Sequence, residues 1–89
     1  MKTVEILESE IKELIVEALA LEDLIPSELD STEPLFDSGL GLDSIDALEI
    51  AVALEKRYGI VVDDDAGANR ERFASVRSLA RFVADSLPR

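Results

Sequence analysis

Apolar residues at Val4, Leu7, Ile11, Leu14, Ile15, Ala18 and Leu19 recur at steps of three and four, which puts them on one helical stripe. Glu5, Glu8, Glu10, Glu13 and Glu17 line the remainder. Thr3 stands where an N-cap belongs, and Glu8 and Lys12 have the spacing of a favourable i,i+4 pair. The pattern predicts a helix ending near Leu21. A second predicted helix runs from Ser44 to about Tyr58 and carries two apolar stripes. Ala47, Ile50, Ala51, Leu54 and Tyr58 form the first and are expected in the core. Ile45, Leu48 and Val52 form the other. It is either buried against a second neighbour or exposed as a docking patch, with Asp46 and Glu49 as a charged rim. Val76, Leu79, Ala80, Val83 and Leu87, with Phe82 alongside, predict a last helix that Ser75 caps and Pro88 ends.

Between these helices the pattern breaks. Residues 22–42 contain Pro26, Pro34 and small polar residues, and predict a long loop. Leu24, Ile25, Leu29, Leu35, Phe36 and Leu40 are expected to pin it to the bundle. Gly59 is placed to stop the second helix. Ile60, Val61 and Val62 form an apolar run too short to assign. The stretch from Ala66 to Arg72 predicts a short third helix, weakened by Gly67 and Asn69. Together these elements describe an all-α fold: a four-helix bundle of three main helices and one short third helix, with a long first loop, in a single domain over residues 1–89.

Composition removes several function classes. The chain has no cysteine and no histidine, so a disulfide framework, a thiolate nucleophile and a Ser-His-Asp triad are all excluded. No catalytic residue is assigned. Asp63, Asp64 and Asp65 lack the spaced ligands of a calcium loop and read as a solvated turn or helix start, so no metal ligand is assigned either. The net charge of −11 argues against nucleic acid as a partner. It is unevenly spread: residues 1–37 hold eleven acidic and two basic side chains, and residues 66–89 hold two and five. Partners of the acidic part should present Lys and Arg. With no apolar run long enough to span a bilayer and no signal pattern at the N-terminus, the expectation is a cytoplasmic monomer.

Chemistry concentrates at the start of the second helix. Asp43 is the expected N-cap, with Asp46 three residues on in an acidic variant of the capping box. Ser44 then takes the first helical position with its hydroxyl not needed as the cap. Unpaired backbone N–H groups there favour an anion. Gly39 and Gly41 permit a tight approach. Such a serine is either an ordinary helix-start residue or the acceptor of a phosphodiester.

The run from Leu35 to Tyr58 resembles the modification site of the acyl carrier proteins. Asp43-Ser44-Ile45 matches the family's Asp-Ser-Leu hallmark. Phe36, the Leu40-Gly41 pair and the helix from Asp46 to Tyr58 match as well, and the likeness covers roughly Ile6 to Val83. The resemblance implies that Ser44 carries 4'-phosphopantetheine, attached from coenzyme A by a phosphopantetheinyl transferase, with Asp43 shaping the motif. It implies that acyl groups ride on that arm as thioesters between acyl-transferring, ketosynthase, reductase or dehydratase enzymes. These dock on Ile45, Asp46, Leu48, Glu49, Val52 and Lys56. It also implies an interior, near the small Ala51 and Ala53, that can shelter the acyl chain. Gly-Leu-Asp-Ser favours an acyl over an aminoacyl or peptidyl carrier. The motif, the Phe73-Ala74-Ser75-Val76 entry to the last helix, and Lys56 with Arg57 are similar to discrete carriers of specialised pathways such as aryl polyene synthesis. Lys56 and Arg57 are expected to help select among partners. The segment around Ala66–Arg72 is longer than in the fatty-acid type. A different class, an acidic helical interaction module that is never modified, would need the same apolar patch but not Ser44.

Overall fold

The computed structural model describes residues 3–21, 25–35, 44–62 and 66–87, with the side chains of Ser44 and residues 66–68 outside the description. The order is α1 (Val4–Ala18), a single 3-10 turn (Pro26–Glu28), α2 (Ser44–Tyr58), α3 (Ala66–Arg72) and α4 (Val76–Ser86). This is an all-α four-helix bundle, and no strand occurs among the described residues. No helix among them is long and apolar enough to cross a membrane.

The predicted stripes build the core. Leu7, Ile11, Leu14 and Ile15 of α1 pack with Ile50 and Leu54 of α2 and with Val76, Leu79, Ala80 and Val83 of α4. α1 lies against both α4 and α2, and α3 against α4. Ile60 and Phe73, on the connections flanking α3, are also buried, so the connections close the core as well as joining it.

The caps follow local chemistry. The Thr3 hydroxyl accepts the Ile6 N–H. Ser75 caps α4 in a capping box whose partner, three residues on, is Ser78. Gly59 leaves α2 in the left-handed region at φ 67°. α1 ends at Ala18, three residues before the expected Leu21. The Leu21 N–H reaches the Val16 carbonyl and the Ala20 N–H the Glu17 carbonyl. That is a Schellman closure, with Ala20 at φ 52° in the place glycine usually takes. No glycine marked the stop, so the apolar pattern ran past it.

Two expectations about α1 and the first loop are corrected. Glu8, expected on the outer face with Lys12, is buried and pairs instead with Arg77 of α4, 3.3 Å from Nε to Oε2. The Glu8 position lies next to Leu7 and Ile11, under α4, where only Arg77 supplies a cation. Ile25, expected to pin the loop, is exposed, because it is the extended residue that leads into Pro26. Leu29 and Leu35 do the anchoring. Backbone bonds reinforce them: the Leu35 N–H donates to the Ala74 carbonyl at 3.0 Å and the Arg77 N–H to the Ser31 carbonyl at 2.8 Å. Leu24, Phe36, Leu40, Asp63–Asp65 and Pro88 lie outside the described residues.

Candidate functional site

Ser44 is the first residue of α2, as its spacing from the apolar stripe required. The Asp43 cap and the approach through Gly39 and Gly41 lie outside the described residues. Helix geometry then divides the residues beyond Ser44 between two sides. Residues 47, 50, 51, 54 and 58 share one side, and the structure packs all of them into or against the core. Residues 45, 48, 49, 52 and 56 share the opposite side.

That opposite side is open. Ile45 is 68% exposed, Leu48 64% and Val52 41%. Three large aliphatic side chains in a line make an apolar strip starting one residue from Ser44. Glu49 and Lys56 are exposed beside it, while Asp46 is half-buried at its edge. The alternative of a helix buried on both sides is therefore set aside.

The far end of α2 is held to α1. The Tyr58 hydroxyl donates to Glu10 Oε1 at 2.8 Å, and the Arg57 guanidinium lies 3.9 Å from the same oxygen. Burial, and then the bond to the Glu10 carboxylate, push the Tyr58 phenol well above its ordinary range. The Val62 N–H donates to Glu55 Oε2 at 2.9 Å, folding the chain after Gly59 back onto the last turn of α2. Sequence reasoning treated Lys56 and Arg57 as one pair of cations. The structure separates them, since Arg57 turns to Glu10 and Tyr58.

The first loop, which delivers the chain towards Ser44, is ordered by its own turn. The Asp30 carboxylate accepts the Thr32 N–H at 2.9 Å and the Thr32 hydroxyl at 2.8 Å. These two bonds hold its carboxyl below the usual aspartate range, with Lys12 and Arg77 adding smaller electrostatic help. Sequence reasoning missed this turn, although an Asp two residues before a Thr is its ordinary signal.

Comparison with known proteins agrees with this architecture. The family model described as a phosphopantetheine attachment site matches residues 9–83. An acyl carrier protein of Wolinella succinogenes is 34% identical over 74 residues, covering 83% of this chain and 88% of that one. The match spans α1, α2, α3 and most of α4, so it takes in both the bundle and the helix that Ser44 begins. By that coverage the chain belongs to the phosphopantetheine-binding family, as an acyl carrier protein.

Proposed function

We propose that Ser44 is the residue that carries 4'-phosphopantetheine, and that the chain presents acyl groups to enzymes of fatty-acid or polyketide type. One observation carries this reading: Ser44 is the first residue of α2, and the exposed strip of Ile45, Leu48 and Val52 begins directly beside it. The residues suit such a group. A serine hydroxyl is a competent phosphodiester partner, and the solvent-facing strip leaves approach to the helix start open for a transferase. When attached, the arm supplies a thiol that holds an acyl group as a thioester. The chain's own tasks are to fix the attachment point, give it a docking face, and raise the effective concentration of a tethered substrate. Asp43 serves as cap and motif geometry; its negative charge makes direct phosphate contact costly. The chain acts as a carrier and leaves the catalytic steps to its partners.

The test is incubation with coenzyme A and a broad-specificity phosphopantetheinyl transferase. Intact mass should rise by one phosphopantetheinyl group, mapped to the peptide that contains Ser44. Ser44→Ala should abolish the addition while helicity is kept. Addition that persists in the variant, or none in the parent with several active transferases, would favour the unmodified interaction module. A discrete role in a specialised pathway of aryl polyene type is the finer reading. It rests on the motif context and on the cationic end of α2, and is tested by which ketosynthase accepts the acylated chain.

A further inference from the structure

We infer that the docking face has a second recognition point at the far end of α2, formed by Lys56 and Val61, and that it fits a partner presenting a carboxylate beside an apolar contact. The inference rests on the carrier reading, and deepens it by naming the chemistry of the partner.

Ile45, Glu49, Val52 and Lys56 follow one another at steps of four, three and four, which places them in one line along the exposed side of α2. Seven residues separate Glu49 from Lys56, about 10 Å along the axis at 1.5 Å per residue. The strip therefore changes sign along its length. Asp46 and Glu49 lie at the end near Ser44, and Lys56 lies at the other.

Neighbouring charges at that far end are already engaged. Glu55 accepts the Val62 N–H, and Arg57 is turned to Glu10 and the Tyr58 ring. The positions three and four residues from Lys56 are Val52, Ala53, Gly59 and Ile60, so no carboxylate lies within helical reach. Lys56 forms no ion pair among the described residues, in a chain with twenty acidic side chains. A lysine favoured only by the helix dipole would account for the charge. It would not account for Val61, which is 81% exposed next to the peptide that Glu55 holds against α2. A cation and a bare aliphatic side chain, both presented by a segment tied down by a hydrogen bond, make an ordered contact surface. An all-basic partner surface would suit Asp46 and Glu49 but would repel Lys56. Charge complementarity therefore calls for a cation opposite the near end and a carboxylate opposite the far end.

The experiment uses the full chain, loaded to completion with the arm and an acyl group and checked by mass, as substrate for a ketosynthase of its own host. Lys56→Glu should raise KM on the order of tenfold with kcat unchanged, since like charges at an interface are strongly disfavoured. Lys56→Met should raise it less. Reversing one acidic residue on the rim of the ketosynthase's docking site to Lys should restore binding of Lys56→Glu. A Lys56→Glu KM equal to or below that of the parent overturns the inference and leaves the carrier reading standing. Failure of the parent to accept the arm at all overturns both.

Discussion

Leu48 and Leu54 lie six residues apart on α2 and differ in one respect that sets the cost of truncating them. Leu54 is fully buried and Leu48 is 64% exposed. Truncation of a buried leucine to alanine costs about 2–5 kcal/mol, from lost transfer energy and the cavity left behind. For Leu48 only the covered 36% of the residue counts, by subtraction from its exposure. Full burial of a leucine side chain is worth about 1.5–3 kcal/mol, so the share at stake is about 0.5–1 kcal/mol, with no cavity to add. Urea unfolding of the parent, Leu48→Ala and Leu54→Ala, with slopes compared to confirm a shared two-state transition, reads the difference as a shift in midpoint. The same variants are then compared as substrates of a partner enzyme. Leu48→Ala should weaken docking while staying folded. Equal destabilisation by the two substitutions would refute the division of α2 into a core side and a docking side.

Ala20→Gly should stabilise the protein by about 0.5–1 kcal/mol in thermal or denaturant unfolding, because the left-handed backbone at the end of α1 strains a Cβ that glycine lacks. Tyr58 is the single tyrosine in the chain, so an absorbance titration should show its phenol ionising above the ordinary value of 10.0. Because the folded value is raised, the contribution to stability is present below that ordinary value and is lost as pH rises above it; Tyr58→Phe should remove this alkaline slope. Asp30 has the opposite sign: its lowered folded value supports stability above the ordinary aspartate range, and that support is lost as pH falls through it, so Asp30→Asn should flatten the acid limb of a stability–pH curve. Arg77→Ala should cost about 1–2 kcal/mol, less than a fully buried pair because the arginine is half exposed, and Glu8→Gln should recover part of that loss when combined with it.

The helices and their inward faces were legible because periodicity is a local property. Each of the three long helices repeats its apolar residues at helical spacing, and Thr3 and Ser75 announce two of the starts. The split of α2 was legible for the same reason: two stripes on opposite sides of one helix cannot share one core. What could not be read were pairings across distance. Glu8 looks like its neighbours in α1, and only the position of α4 makes it the partner of Arg77. Arg57 and Lys56 are adjacent cations in the sequence, and only the approach of Glu10 tells them apart. Ile25 has the hydrophobicity of an anchor but the geometry of a lead-in to proline. Ala20 ends a helix without the residue type that usually signals an end.

The two backbone bonds between the first loop and the start of α4 bear on where this chain tolerates cutting and splicing. Ser31 and Leu35 are four residues apart, and their partners Arg77 and Ala74 are three apart in the reverse direction. The two stitches therefore behave like adjacent rungs, and both hold only at one register. An inserted or deleted residue between positions 31 and 35 would break at least one rung and release Leu35 from the core. Fusion junctions, epitope tags or permuted termini placed there would loosen the route to the second helix even though the segment looks like ordinary linker.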